Sequence, residues 1–440
     1  MRPPRAAVHL AVATAVFLLF LAGCGGPPPT GSVAGSQVAS QVSSGTGAGD
    51  RITGWASDLD LLLPGIEEIH PDPYHSTPKP QLVAAIAALK ESVAQATDDE
   101  VMVGLLGIVA QLSASGRDGH TGAFIWGTDS AYPVHSLPLR LWSFADGLYV
   151  VDALPPYEGL IGSRVDAIAG RPFGEVQAAI EPLVPRDNDE TVVLLTPRFL
   201  LIPEVLHGLG IIGQVGPVEL TLADQAATVA VAPIAMADYN AWAGPYGLHL
   251  PDDPDALYLS RTDEVLWRTK LEGSHDLYVQ YNRVEDLGAD LLDELRHAAA
   301  GDAVDRIIVD IRHNFGGETF AYPPLVDVLT DEGIRSKQLF VITGRNTFSA
   351  ACLFGAEIDR DTDATFVGEP MGGSPNLFGN PGSVALPFSG LAVTVAGEYF
   401  VRSTPDDRRL TIEPDIPVAL QAQDYFAHRD PSIEAIRATR

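Results

Sequence analysis

The chain contains few lysines, few cysteines and no basic cluster. Lys79, Lys90, Lys270 and Lys337 are its four lysines among 440 residues, and Cys24 and Cys352 are its two cysteines. Asp and Glu number 57 against 28 Lys and Arg, which gives a formal net charge of -29. Nucleic acid is therefore excluded as a favoured partner, and an anionic membrane surface would repel the body of the protein. The acidity is more simply a solubility feature than a substrate signal.

Two common hydrolase signatures are also missing. No histidine is followed by glutamate, so the His-Glu-x-x-His zinc motif is absent. There is no Gly-x-Ser-x-Gly elbow, which weighs against an α/β-hydrolase esterase. We predict no metal and no cofactor.

The N-terminus is typical of a bacterial export signal. Arg2 and Arg5 precede an apolar segment over 6–20, which ends in Leu-Ala-Gly-Cys at residues 21–24. That ending resembles a lipobox, so we expect residues 1–23 to be a signal peptide and Cys24 to become a lipidated N-terminus. An uncleaved membrane anchor is the alternative, but the apolar stretch is short for a span of roughly 20 residues.

Residues 24–50 are rich in Gly, Ser, Pro and Thr and predict a flexible tether. The tether and lipid would hold the protein at the outer face of the plasma membrane or in the periplasm. With Cys24 carrying lipid, Cys352 has no disulfide partner and is predicted to be a small buried core residue.

Three further units follow from the periodicity. Residues 51–130 predict a helical domain that ends in a glycine-bracketed turn, and residues 131–236 predict a β-rich domain with short strands, one of them over 192–195. Residues 237–440 alternate apolar strands with helices, which predicts an α/β core with a largely parallel sheet.

The strongest chemical signal lies in that core. Ser349 follows an apolar run over 339–343 and opens a helical segment, so free N–H groups of the helix could hold a developing oxyanion. A second run, over 306–311, leads into Gly316 and Gly317, a pair that lets backbone approach whatever the serine attacks. Together the two elements suggest acyl transfer, although a serine before a helix is more often an ordinary N-cap.

An ordered set of motifs resembles the tail-specific (C-terminal processing) serine protease family, which includes the tricorn proteases. The set spans residues of about 60 to 430, and its members are Asp-Gly-His-Thr at 118–121, a loosely PDZ-like segment at 159–170, Asp-Ile-Arg-His-Asn-Phe-Gly-Gly at 310–317, the nucleophile segment at 347–351 followed by Val-Gly-Glu-Pro at 367–370, and Glu-Pro-Asp-Ile at 413–416. Each motif alone is weak, but the ordered set is strong.

The resemblance implies a core of the Clp protease and crotonase type, with an N-terminal helical domain and a degenerate PDZ-like domain. Ser349 would be the nucleophile. Backbone N–H groups of Gly316 or Gly317 and of Ala350 would form the oxyanion hole.

The sequence departs from many members of the family in its base. Those members carry a lysine about 25 residues after the serine, where this chain has Ser374, and no lysine follows Lys337. The tricorn-like branch uses a histidine from the turn in which His120 stands, so His120 is the predicted base. His313 is a rival, and His120 could instead cap the helical region.

A third member should orient the histidine. The tricorn branch places an acidic residue near the C-terminal Pro-Asp element, where Asp406, Asp407 and Glu413 are candidates; spacing favours Asp407. Asp118 is interpreted as a turn former.

Two functions are compatible with these residues. The first is a membrane-tethered serine endopeptidase that cleaves exported polypeptides, with the middle domain binding an extended segment by strand addition. The second is a catalytically silent relative that binds a peptide or an apolar ligand. The presence of both Ser349 and His120 favours the first.

Overall fold

The structure, a computed structural model, describes residues 48–127, 131–223, 227–244 and 247–439. The predicted signal peptide, Cys24 and nearly all of the predicted tether therefore lie outside the described residues. Within those ranges, no helix is both long enough and apolar enough to cross a membrane.

The helices are distributed along the whole described chain. They are α1 (Ala48–Ile69), α2 (Lys79–Ser92), α3 (Asp98–Ala110), α4 (Phe173–Ile180), α5 (Asp189–Leu200), α6 (Pro203–Gly208), α7 (Met236–Ala243), α8 (Gly288–Ala299), α9 (Pro323–Leu329), α10 (Ala350–Asp361), α11 (Ala422–Phe426) and α12 (Pro431–Ala438).

The strands begin after the third helix. They are β1 (His135–Ser136), β2 (Leu139–Phe144), β3 (Gly147–Ala153), β4 (Val165–Ile168), β5 (Arg171–Pro172), β6 (Val218–Leu222), β7 (Ala227–Val231), β8 (Ile234–Ala235), β9 (Leu266–Lys270), β10 (Asp276–Tyr281), β11 (Arg306–Asp310), β12 (Gln338–Thr343), β13 (Thr365–Gly368), β14 (Asn376–Leu386), β15 (Leu391–Val401) and β16 (Ile416–Pro417).

The C-terminal part contains a six-stranded sheet in the order β16-β13-β12-β11-β10-β9. Its strands from β10 to β16 pair in parallel, and β9 is an antiparallel edge strand. Every residue of β11 is buried, and separate apolar clusters cover the two faces of the sheet. This agrees with the predicted α/β core, because a parallel sheet buried on both faces needs uninterrupted apolar strands.

The strand predicted over residues 192–195 is wrong. These residues lie inside α5, whose first turn is capped by Asn188: its side-chain oxygen accepts from the N–H groups of Glu190 and Thr191 at 3.0 and 3.3 Å. The asparagine cap satisfies N–H groups of the first helical turn and so favours a helix. The short apolar run from which the strand was predicted does not reveal this cap.

A long hairpin is the main element that the sequence did not indicate. Strands β14 and β15 pair in antiparallel register over 11 residues each, and the hairpin packs against α1. Near its tip, Val384, Leu386, Leu391, Val393 and Val395 belong to the same buried cluster as the helical region and the β-rich region, whereas Leu377 and Phe400 at its base belong to a cluster of the core sheet. The predicted boundary at residue 130 therefore does not separate two cores.

Candidate active site

Ser349 stands where β12 leads into α10. Its backbone has φ 53° and ψ -128°, a left-handed conformation that is costly for a residue with a side chain. The segment before it is held by Thr347, whose hydroxyl donates to the carbonyl of Ile311 at 2.8 Å. The chain is thus forced through a tight turn that presents a half-buried serine at the start of a helix.

His120 faces this serine directly. His120 Nε2 lies 2.9 Å from Ser349 Oγ, although the two residues are 229 positions apart in the sequence. The imidazole also stacks on the ring of Phe348, with centroids 4.6 Å apart and planes inclined by 22°. The predicted pair is therefore within proton-transfer distance, with the ring held on one face.

The turn that carries His120 is fastened on both sides. Gly122 exchanges backbone hydrogen bonds with Thr394 of β15 at 3.0 and 2.9 Å, and the hydroxyl of Thr121 accepts from the N–H of Ala396 at 3.0 Å. A Cβ atom on Gly119 would lie 3.0 Å from the ring of Phe348. Only glycine at position 119 allows the turn to approach this closely.

Burial sets the charge state of His120. The side chain is 9% exposed, and burial lowers its pKa from 6.5 to about 4, against opposing effects of the Asp118 carboxylate and the Phe378 backbone. The imidazole is therefore neutral near pH 7 and able to accept a proton. Its Nδ1 completes no hydrogen bond within the described chain.

The backbone beside Ser349 narrows the choice of oxyanion donors. The N–H of Gly316 already donates to the side-chain oxygen of Asn314 at 2.9 Å. In the described part of the chain, the N–H groups of Gly317 and Ala350 donate to no other group. Gly317 is exposed, and a Cβ on Gly316 would lie 3.0 Å from the nitrogen of Ala350. Gly317 and Ala350 are therefore the candidate donors.

The acidic residue chosen by spacing is not at the imidazole. Asp407 accepts from the hydroxyl of Ser403 at 2.6 Å and from Arg409 at 2.8 Å, and Arg409 is the largest cause that lowers its pKa. The other two candidates, Asp406 and Glu413, are exposed. The structure brings none of the three to the unpaired Nδ1 of His120, so the assignment of Asp407 needs correction. Spacing along the chain did not reveal that residues of its own loop, Ser403 and Arg409, hold the Asp407 carboxylate.

The rival base also lies elsewhere. The ring of His313 stacks on Tyr258, with centroids 5.8 Å apart and planes inclined by 13°. Burial lowers its pKa well below 6.5. Ser349 Oγ meets the ring of His120 and not that of His313.

Asp187 is a residue of the site that sequence reasoning missed. It is fully buried, and its carboxylate accepts from the N–H of Gly119 at 2.6 Å and from the N–H of Ser374 at 3.2 Å. Burial raises its pKa to about 7, while the two N–H bonds act in the opposite sense. Ser374 stands at the position where many tail-specific proteases carry lysine. Asp187 thus links the backbone of Ser374 to the turn that carries His120. An isolated Asp in a loop gives no sequence signal of this.

A second buried cluster supports the turn from behind. The carboxylate of Asp118 lies 3.1 Å from His70 Nε2 and 3.4 Å from His75 Nε2. These three residues are close enough to share a metal ion. However, the N–H of Asp72 donates to His70 Nδ1 at 3.0 Å, which leaves the ring proton on Nε2, toward Asp118. A metal would require that position to be free of its proton, so the geometry fits a hydrogen-bonded cluster better.

Comparison with known proteins finds similarity only at the level of structure. Neither protein families nor curated proteins match the sequence. A serine-to-alanine mutant of CPAF superimposes with a TM-score of 0.61 at 13% identity, covering 86% of this chain and 95% of that chain. Mature CPAF complexed with lactacystin gives 0.58 at 13% identity, covering 88% and 97%. The chain has the fold of CPAF.

The tricorn protease is a weaker match. It covers 88% of this chain and 36% of that chain at 12% identity, with a TM-score of 0.40. That score is too low to support an argument about the branch of the family. At such identities the comparisons establish the fold, and the chemistry depends on the geometry of the site.

Proposed function

We propose that the protein is a serine endopeptidase that hydrolyses peptide bonds of exported polypeptides. The observation that carries the proposal is the 2.9 Å approach of His120 Nε2 to Ser349 Oγ, beside the two N–H groups of Gly317 and Ala350 that have no other acceptor in the described chain. Nucleophile, base and oxyanion donors are the parts that acyl transfer requires. The CPAF-like fold supports the same interpretation.

In the first step, Ser349 Oγ attacks the scissile carbonyl carbon while His120 Nε2 accepts the hydroxyl proton. The carbonyl oxygen becomes an oxyanion, which Gly317 and Ala350 stabilise through their N–H groups. The imidazolium then donates its proton to the leaving amine, and an acyl-enzyme remains on Ser349. A water molecule, deprotonated by the same imidazole, releases the acyl group.

Orientation of the base does not require a carboxylate at Nδ1 in this proposal. The ring of Phe348 supports one face of the imidazole, and the Phe378 backbone is close enough to raise its pKa. The buried charge of Asp118 raises the pKa of His120 and so offsets part of the cost of forming a buried imidazolium.

The predicted tether completes the proposal. Lipidation at Cys24 would hold the enzyme at the outer face of the plasma membrane or in the periplasm, where exported chains pass. The middle region would bind an extended substrate segment by strand addition. Replacing the lipidation site, Cys24→Ser, should move the protein from the membrane fraction to the soluble fraction, whereas Cys352→Ser should not.

The decisive experiment is covalent labelling with a fluorophosphonate probe, together with detection of new N-termini in an unfolded polypeptide substrate. Wild type should label and cleave, and Ser349→Ala and His120→Ala should do neither. Ser57→Ala, at an exposed serine of α1, is the matched control. Labelling that survives Ser349→Ala would refute the assignment of Ser349 as the nucleophile.

The alternative is a silent relative that binds a peptide or an apolar ligand. It predicts that wild type neither labels nor cleaves but still binds an unfolded polypeptide. The hydrogen-bonded pair and the strained backbone of Ser349 favour catalysis, because such strain is costly and is typically kept where function uses it.

A further inference from the structure

Arg198 is a buried cation without an opposite charge. It lies in α5 and is 2% exposed. Its guanidinium donates to Ser136 Oγ at 3.1 Å and to Met236 Sδ at 2.9 Å, both of them neutral, and no carboxylate pairs with it among the described residues. Burial lowers its pKa to about 10, which still leaves it charged at neutral pH. A buried charge in this state is costly unless something compensates it.

Aromatic rings compensate only part of that cost. The guanidinium carbon lies 4.2 Å from the centroid of Tyr239 and 5.4 Å from that of Trp126. Cation–π contacts stabilise a desolvated guanidinium, but by less than the penalty of burying it. They also supply no acceptor for its N–H groups.

Three polar groups of the same region have no partner. Arg198 Nε, Trp142 Nε1 and Tyr239 Oη are all buried and have no hydrogen-bond partner in the described chain. Arg198 and Trp142 line one cavity, together with Gly247, in which the centre of a water-sized particle has about 10 Å³ of free space. A Cβ on Gly247 would lie 2.9 Å from Tyr239 Oη, so the tyrosine hydroxyl lies close to one of the lining residues.

We propose that this cavity, which we call the Arg198 cavity, binds one small monovalent anion, chloride. An anion there can accept hydrogen bonds from the guanidinium and the indole, the two donors that line the cavity, and it neutralises the buried charge. A water molecule could accept the same hydrogen bonds, but it would leave the charge of the guanidinium uncompensated. The free space is that of one small, compact ligand.

The rest of the lining agrees with an enclosed halide site. Leu194, Pro197 and Leu248 give the cavity apolar walls, which strengthen the attraction between the anion and Arg198. The carbonyl of Leu248 accepts from the side-chain amide of Asn346 at 2.9 Å. The site therefore lies against the segment that leads to Ser349, but it takes no part in the proposed chemistry.

The test is thermal unfolding of the full mature chain in chloride and in gluconate, at constant ionic strength. The Tm of wild type should rise by about 2–5 °C when 100 mM gluconate is replaced by chloride, because the anion binds only the folded state. Bromide should act like chloride, and sulfate, which is too large, should not follow the same saturation curve. Saturation of the effect with halide concentration would support one site.

Arg198→Met should abolish the chloride effect. It should lower the Tm in gluconate only slightly, because in gluconate the buried guanidinium of wild type has no counter-ion. Arg268→Met, at a partly exposed arginine paired with Glu294, is the control and should keep it. If Arg198→Met does not fold, Trp142→Phe removes one donor and should weaken the halide response severalfold. A bromide soak followed by anomalous diffraction gives an independent readout. Identical Tm values in chloride and gluconate, or no bromide peak in the Arg198 cavity, would overturn the proposal.

Discussion

The backbone N–H of Gly119 donates to Asp187 Oδ1 over 2.6 Å, and this bond ties the turn that carries His120 to a fully buried carboxyl group. The second oxygen of Asp187 accepts from the N–H of Ser374. One side chain thus joins two loops that approach Ser349 from different parts of the chain, so its protonation should be visible in stability.

Asp187→Asn should change how stability depends on pH. Burial raises the pKa of Asp187 from 3.8 to about 7, so its contribution is fully present below about pH 4 and is lost as pH rises through about 7. The Tm of wild type should therefore fall relative to Asp187→Asn between pH 4 and pH 7. Thermal unfolding at a series of pH values measures this difference. Asp189→Asn, two residues away and 97% exposed at its side chain, should track wild type.

The activity of the enzyme should persist well into the acid range. Burial lowers the pKa of His120 to about 4, so the imidazole stays neutral and competent as a base down to about that pH. The acid limb of kcat/KM should lie below the ordinary histidine value, with Asp187→Asn as a control for titration of the neighbouring carboxyl group. An acid limb at pH 6.5 or above would contradict the assignment of His120 as a buried base.

His120 should change the pH dependence of stability in the opposite sense to Asp187. With its folded pKa lowered to about 4 from 6.5, His120 favours unfolding as pH falls through this interval, because the unfolded chain binds the proton more readily. His120→Gln should therefore flatten the acid side of the Tm profile. An unchanged slope between pH 4 and pH 6.5 would argue against burial of the neutral ring.

Gly316→Ala should strongly reduce the proposed peptidase activity. A Cβ at this position would lie 2.6 Å from Ser349 Cβ and 3.0 Å from the nitrogen of Ala350, at a φ of 99° that side chains rarely adopt. It would therefore fill the proposed oxyanion site, and kcat/KM should fall by about 10²–10³-fold.

Gly174→Ala is the matched control for this change. Gly174 lies in α4 with no atom within 4 Å of the added Cβ, so activity should be unchanged. The helix should gain roughly 0.5–1 kcal/mol from the loss of glycine freedom. Equal activity of the two alanine variants would show that Gly316 does not border the proposed oxyanion site.

Asp407→Ala should leave kcat/KM within about twofold of wild type. Its carboxylate bonds to Arg409 and Ser403 near the surface, and the loss of such a pair costs about 1 kcal/mol or less. Peptide hydrolysis and urea unfolding measured on the same sample separate the two effects. If Asp407→Ala lost as much activity as His120→Ala, Asp407 would be a catalytic residue after all.

The approach of Ser349 and His120 and the α/β core could be predicted because each has a local signature. Ser349 lies at a strand-to-helix turn, and the Asp-Gly-His-Thr motif singles out His120 among 11 histidines. Buried parallel strands such as β11 read as uninterrupted apolar runs.

The supports of these residues could not be predicted, because they are defined only by tertiary contact. Asp187 resembles any aspartate in a loop until Gly119 and Ser374 are seen to donate to it. The choice between Gly316 and Gly317 depends on a single hydrogen bond, which the N–H of Gly316 donates to Asn314 Oδ1. Asp407 failed for the same reason: spacing along a loop does not determine which way the loop turns.

The hairpin of β14 and β15 has a consequence for the order of assembly. It fastens the turn of His120 through Thr394 and Ala396, yet it comes after both His120 and Ser349 in the chain. A ribosome must therefore translate past residue 396 before imidazole and hydroxyl can be clamped together. We expect a nascent chain to lack the proposed peptidase activity until almost the whole polypeptide has been synthesised.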